Sequence, residues 1–585
     1  MLSPTMAYWI QLHASSKPAL LLLGTLTVVL VSLLSPVRIT LARTLLRPPR
    51  SSAVAAVFVF IFALVGRLVL ALIEPFALPG AHDEYSYLLA ADTFAHGRLS
   101  NPTPLFWTHF ETYHELFVPA YASKYPPGQG LLLALGQVVF HQPMVAVILS
   151  CALLSACLYW GLCAIVPRRW AWLGSLVAAV QICWMSYWSN SYWGGALAAI
   201  GGCLLVGGAI RFARSRRLRD AILLSIGVVI LANTRPYEGL LLTASVFAWL
   251  VLRLVRAPAP RPPLLAPIVA FVLIGAMAGG AMAWYNLRVT GYATRLPASE
   301  ACRQCGITPL FWVLPLNHKP LCLWSTQKNQ PDLFELPEYR QAHSLRGFLH
   351  LTATHLKVIR AFFLGPAGLL APVGLILCWR VRRVRWLFGL FVLMFVGWSL
   401  ETWTHPHYYA PATIVICALE VYGLRGLACC LRSRRIGRLP RPGECVVFAS
   451  VLFLALAFLV RCGQGVVAAQ SGHPTRPLNE TADSKLAVEG VLANMGGSHL
   501  VLIRYALPHN PIREWVYNSA DIASQPIIWA HSLDPEDPDA PLICYYRNRH
   551  VWRLTPPETG AWTPQQARSA LQPIDTNLIC RPGER

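Results

Sequence analysis

Asp83 and Glu84 stand side by side in His82-Asp83-Glu84-Tyr85, just after an apolar run at 53–73. A carboxylate beside the end of such a run is a candidate general base for an acceptor hydroxyl. The pair could equally hold a divalent cation that neutralises a phosphate leaving group. The plainer reading is a helix N-cap, with Asp83 capping a helix that starts at Tyr85. Surroundings weigh against the plain reading: 55% of the chain is hydrophobic and only 13% is charged.

Three further clusters, and a Lys-Tyr stretch after the first of them, hold residues suited to substrate contact. Glu111 and His114, in Trp107-Thr108-His109-Phe110-Glu111-Thr112-Tyr113-His114-Glu115, are one helical turn apart. That spacing suits a metal pair or a clamp on sugar hydroxyls, although His and Glu in an aqueous loop are more often simply solvated. Lys124 and Tyr125 follow in Ser123-Lys124-Tyr125-Pro126-Pro127-Gly128. The double proline blocks helix until Gly128 and makes a rigid entry to the next segment, with Lys124 at the level of lipid phosphates. Arg235 and Glu238, in Asn233-Thr234-Arg235-Pro236-Tyr237-Glu238, are either a structural ion pair or an Arg fork for a phosphate. His407 and Tyr408, in Trp403-Thr404-His405-Pro406-His407-Tyr408-Tyr409, are candidates for phosphate contact and for an interface anchor. His405 and His407, two apart across a proline, do not form a metal spacing.

What must position these residues is a bundle of apolar helices. Apolar runs recur at 19–35, 53–73, 144–166, 170–187, 192–212, 220–234, 237–255, 264–286, 361–379, 386–402, 408–427 and 445–462, about twelve in all; those at 19–35, 220–234 and 386–402 are short, suited to half-spans or tilted pieces. The formal charge of +22 does not point to nucleic acid, because its arginines gather in short connectors such as Arg168 and Arg169, or Arg214, Arg216 and Arg217. Basic short loops mark the cytoplasmic side. Those connectors alternate along the chain, which leaves 74–143, 287–360 and the tail from 463 on the outer side. All four polar clusters then share that side, and one outward-facing site is the economical reading. The run Leu20–Leu34 reads as an uncleaved anchor.

Two domains are expected: 1–462 in the membrane, with outer loops 74–143 and 287–360, and 463–585 as an extracytoplasmic unit. In the tail, 472–481 reads as a linker and 484–495 as an amphipathic helix. Strand-like runs follow at 499–505, 515–517, 527–530 and 542–554, a small α/β pattern. Within the first loop, 84–95 is expected as a short helix along the membrane and 126–140 as an interfacial segment too short to span. Most of the 16 cysteines lie within predicted helices; Cys302, Cys305, Cys322, Cys544 and Cys580 lie outside, where disulfides are permitted. A structural bridge is the favoured role of Cys302 and Cys305.

Together, His82-Asp83-Glu84 after an early helix, Lys124-Tyr125-Pro126-Pro127-Gly128, Tyr285-Asn286 with Thr290-Gly291, and His407-Tyr408-Tyr409-Ala410-Pro411 resemble lipid-linked sugar transferases of the GT-C fold. The resemblance runs over 53–430 and is to protein O-mannosyltransferases and aminoarabinose transferases. It implies a mainly α polytopic protein and an inverting transfer from a polyprenyl-phosphate sugar to a lipid, glycan or protein acceptor. Asp83 would be the base, with Glu84 beside it; Arg235 and Lys124, or a divalent cation, would stabilise the departing phosphate. No Trp-Trp-Asp signature of oligosaccharyltransferases is present, and the tail differs from the β-trefoil of eukaryotic O-mannosyltransferases. A transporter or lipid-sugar flippase is the competing reading, but its charged residues belong near the midplane. A scaffold whose tail binds a partner is the third. The excess of arginine over lysine and the ending Pro582-Gly583-Glu584-Arg585, which is not an endoplasmic-reticulum retrieval signal, suggest a bacterial inner membrane.

Overall fold

The computed structural model describes residues 47–430 and 480–580, apart from 74–75, 185, 257–262, 307, 317–335, 365–370, 507–508 and 534–538, together with isolated positions between 456 and 463. The expected spans at 19–35 and, but for those positions, 445–462 lie outside the described residues, as does most of the 472–481 linker. The described chain is mainly helical.

Among the described residues six helices are long and apolar enough to cross a membrane: Ser52–Ala71, Pro143–Ile165, Gly195–Ser215, Pro236–Val255, Leu265–Thr290 and Ala410–Cys429. The remaining runs form shorter pieces. The run at 170–187 is an α-helix, Arg168–Ala178, that continues as a π-helical turn, Ala179–Trp184, and then a 3-10 turn, Tyr187–Ser189. The run at 220–234 is the 15-residue helix Leu218–Ala232, and that at 386–402 is the 17-residue helix Arg382–Trp398. The pieces at 220–234 and 386–402 are unbroken and as short as their runs, whereas the run at 170–187 is broken by its π-helical turn, which apolar composition does not show.

Burial separates these helices. In Gly195–Ser215, 78% of the apolar window is buried within the protein, against 6% in Leu265–Thr290. Small residues allow the close approach in the first case. A Cβ on Gly202 would come within 1.9 Å of the Pro411 carbonyl oxygen, so this helix and the start of the one after His407 meet backbone to backbone.

The segment expected as the first outer loop is folded. Its helix His82–Ala95 begins two residues earlier than expected, with Ala81 at the N-cap and both Asp83 and Glu84 in the first turn. Asp83 is therefore not the cap; carboxylates in a first turn are stabilised by the helix dipole. A two-residue ladder pairs β1 (Glu115–Leu116) antiparallel with β2 (Ala122–Ser123). Helix Pro127–Phe140 starts at the second proline itself rather than at Gly128, since proline suits the first helical position. Residues of the second loop pack on the first: Gln304 donates to the Val118 carbonyl at 2.8 Å, and Leu116 and Ala122 share a cluster with Tyr285 and Val289.

Residues 480–580 hold helix Glu480–Met495 and a four-stranded sheet in the order β4-β3-β5-β6. Here β3 is His499–Ile503, β4 Ile527–His531, β5 His550–Leu554 and β6 Gln572–Ile574. Both β4 and β5 run parallel to β3, and β6 runs antiparallel to β5. The run at 542–554 is not one strand: Ala540–Tyr545 is a helix that buries Leu542 and Ile543. A short apolar run reads alike for a buried helix and a buried strand. Trp515–Tyr517 joins no strand of the sheet, and the Tyr517 amide bonds back to the Trp515 carbonyl at 2.9 Å. One sheet face packs on the first outer loop through Leu89, Phe110, Phe117 and Tyr121, and the other on helix Glu480–Met495. Cys544 pairs with Cys580; Cys305 is also disulfide-bonded, whereas Cys302 is an exposed thiol, so these two do not bridge each other.

Candidate active site

Asp83 projects from the first turn of helix His82–Ala95 and keeps 29% of its side chain exposed. The Tyr125 hydroxyl donates to its Oδ1. His114 Nδ1 lies 3.4 Å from the same oxygen and 3.1 Å from the Tyr125 hydroxyl. Among the described residues Oδ2 has no hydrogen-bond partner, which leaves it to a substrate. Tyr87, one helical turn on from Asp83, stacks on Tyr125 with ring centroids 4.4 Å apart.

The ladder of β1 and β2 explains why His114 comes here. It folds the loop back so that the Lys124 amide donates to the His114 carbonyl at 3.1 Å. His114 sits in the left-handed region, with φ of 65°, and Ser86 Oγ donates to its carbonyl at 2.6 Å. Lys124 holds its ammonium over the Tyr125 ring, 5.3 Å from the centroid.

A second group faces the first across the rim. Arg235 is the N-cap residue of Pro236–Val255, keeps only 14% of its side chain exposed, and lies 3.9 Å from Glu238. Its guanidinium stands over the Tyr408 ring at 4.8 Å. His407 Nδ1 is 2.8 Å from the Tyr187 hydroxyl, and Trp193 lies 5.1 Å from the His407 ring. A backbone bond clasps the two groups together. The Gly128 amide donates to the Asn233 carbonyl at 2.8 Å, where a Cβ would come within 2.6 Å of that oxygen. Asp83 lies within electrostatic reach of His405, His407 and Tyr408, and Arg235 within reach of Tyr87 and Tyr125.

Electrostatics differ between the groups. Enclosure works to raise the Asp83 carboxyl, but His114, Lys124 and the Tyr125 hydroxyl outweigh it and hold the carboxyl well below its usual range. Burial and Lys124 push the His114 imidazole down, so at neutral pH the pair is carboxylate and neutral imidazole. Burial and the Asp83 charge raise the Tyr125 phenol, which stays protonated. Burial, then Arg235, lowers His407 well below its usual value, and burial brings His405 down to about 4. Arg235 is then the fixed cation among neutral imidazoles.

Other expected residues stand elsewhere. Glu84 Oε1 accepts the Tyr192 amide and Oε2 the Gly80 amide, each at 2.9 Å. Its buried carboxylate ties the helix start to the segment after the π-turn. Glu111 does not pair with His114: the helix ends at Phe110, and Glu111 lies by Cys305, whose sulfur is 3.9 Å from Oε1. The residues between turn away from helix, so an i, i+3 spacing has no common face. Among the described residues no group of three or more His, Cys, Asp or Glu gathers to hold a metal, and no ligand set is assigned. Sequence reasoning does not single out Tyr87, Tyr187 or Glu401. Glu401 is buried at the rim within electrostatic reach of Arg235 and Glu238; an acid at the end of an apolar run could have marked it.

Neither a family model nor a curated protein matches the chain. Solved structures similar to it include an Archaeoglobus fulgidus oligosaccharyltransferase complex with Zn and sulfate, at 12% identity and a TM-score of 0.43, over 76% of this chain and 60% of that one. The chain thus spans less than two thirds of that protein. ArnT from Cupriavidus metallidurans in the apo state is similar at 12% identity and a TM-score of 0.47, over 87% of this chain and 94% of that one.

Proposed function

We propose that this chain is a membrane glycosyltransferase that moves a sugar from a polyprenyl-phosphate donor to an extracytoplasmic acceptor, with inversion. The observation that carries the reading is that Asp83, whose Oδ2 has no hydrogen-bond partner among the described residues, and Arg235 both act on Tyr408, although 152 positions separate them in the chain. Proton removal and departure of an anion are the two tasks of such a displacement.

In this mechanism the acceptor oxygen attacks the anomeric carbon from the face opposite the phosphate. The new carbon–oxygen bond forms as the bond to the phosphate oxygen breaks, and that electron pair leaves with the phosphate. Asp83 Oδ2 takes the acceptor proton. Tyr125 and His114 hold Oδ1, so the free oxygen is aimed. Arg235 and Lys124 balance the charge growing on the phosphate, and Tyr408 and His407 line its side of the site. Glu238 orients Arg235. Glu84, occupied by two backbone amides, positions the helix rather than touching substrate. Residues 1–462 then form the catalytic domain in a cell inner membrane, with 463–585 on the outer side.

The test is sugar transfer from a panel of radiolabelled polyprenyl-phosphate sugars by purified protein in lipid. Transfer by the wild type and its loss in a folded Asp83→Asn variant are expected. Transfer that survives the substitution refutes the role of Asp83, and no transfer from any donor refutes the enzyme reading.

A further inference from the structure

Tyr517 of the C-terminal unit reaches the first turn of the Asp83 helix. The Tyr517 hydroxyl lies 2.7 Å from His82 Nδ1. Its ring stacks on Tyr85 with centroids 4.0 Å apart and planes within 2° of parallel. His82 in turn meets His114 edge-on, with centroids 5.5 Å apart at 78°, and His114 is the imidazole beside Asp83. We propose that Tyr517 is a positioning residue for this site: its hydroxyl fixes the His82 ring, and through it the His114 imidazole that holds Asp83. The proposal rests on the reading of Asp83 as general base.

The segment around Tyr517 is held far more tightly than apolar docking requires. Glu514 Oε1 accepts the amides of Trp515 at 2.9 Å and Val516 at 2.8 Å. Lys485 is buried, and its ammonium donates to the carbonyls of Trp515 at 3.0 Å and Tyr517 at 3.2 Å. Burying an ammonium is costly unless its hydrogen bonds are made; here they go to the backbone that carries Tyr517. Asn518 pairs both ways with the Trp529 backbone, at 2.8 and 3.0 Å. Across the junction, Tyr121 donates to the Asn518 carbonyl at 3.1 Å and the Ala520 amide donates to Asp92 at 2.8 Å. Tyr517 is thus presented to His82 from a fixed mount on both sides. Locked side chains supporting a reacting group are what keep such a group in its productive geometry.

Mere packing predicts a different response from positioning. Tyr517→Phe keeps the ring on Tyr85 and removes only the hydroxyl. In the full chain, kcat for sugar transfer should fall about tenfold, with the KM values for donor and acceptor and the thermal midpoint unchanged. Introduced into His82→Asn, or His82→Gln if that folds better, the same change should produce no further fall. A kcat within about twofold of wild type, or the same factor lost in both backgrounds, overturns the proposal. A cryo-EM structure of Tyr517→Phe gives a readout independent of turnover: a His82 ring left in place also overturns it. Asp83→Asn is measured alongside, and full transfer by that variant refutes the base itself, whatever Tyr517 does.

Discussion

The two sides of the rim site are built in opposite ways. On the first-loop side, Asp83 is 29% exposed and its partners are a phenol and an imidazole on a folded loop. On the helix-hairpin side, Arg235 is 14% exposed and stands at the start of an apolar helix beside a buried glutamate. The first is open on one oxygen and suited to taking a proton from water-borne chemistry. The second is enclosed, where a fixed charge acts strongly because little water screens it. Under the proposed transfer, that difference would put the acceptor on the loop side and the lipid phosphate on the hairpin side.

The assignment can be broken in order of expected effect. Asp83→Asn should cost the most, a fall in kcat of roughly 10³-fold, measured as initial rates of transfer in lipid with thermal unfolding as a control for fold. Arg235→Gln should lower kcat/KM for the donor about 10²-fold and leave the KM for acceptor nearly unchanged. A reversed pattern, with acceptor KM hit by Arg235→Gln, would exchange the two roles. Gly128→Val attacks the clasp rather than either side. Its Cβ would collide with the Asn233 carbonyl and with Thr234 Cγ2 at 2.8 Å. Neither flanking residue type changes, yet transfer should drop about tenfold, because reacting groups must be held to within a fraction of an ångström.

The smallest effect on transfer is expected away from the site, in the mount of Tyr517. Burial pushes the Glu514 carboxyl up from its ordinary value of 4.5 to about 7. Between those values the folded chain holds a proton that the unfolded chain has released, so stability falls as pH rises through the window. Glu514→Gln, which keeps an acceptor for the amides of Trp515 and Val516, should abolish that fall, worth on the order of 3 kcal/mol. Thermal midpoints of both proteins across the window check this; parallel curves would contradict it.

Much of this fold is visible in residue order, and the reasons for the gaps are specific. Continuous apolar runs mark the helices Pro143–Ile165 and Pro236–Val255 because hydrocarbon demands length and composition alone. The same criterion hides the π-turn at Ala179–Trp184, which is as apolar as the helix before it. Asp83 and Arg235 stand out as polar residues beside apolar runs, and the alternating basic connectors put both on one side; how the two segments are joined there comes from the bond between Gly128 and Asn233. Glu84 and Glu111 show the reverse failure. Their types suit chemistry, and only the amides of Gly80 and Tyr192, or the end of a helix at Phe110, reveal other work. The contact of His82 with Tyr517 spans 435 positions, and no local pattern announces it.

Donor affinity measured apart from turnover tests the division of labour most directly. A fluorescent polyprenyl-phosphate sugar would be titrated into wild type, Asp83→Asn and Arg235→Gln in lipid nanodiscs. Asp83→Asn is predicted to bind the donor as wild type does while failing to turn it over, and Arg235→Gln to bind it at least about tenfold more weakly. Equal affinity in all three proteins, or an equal loss in both variants, would contradict a site in which one side takes the proton and the other holds the phosphate.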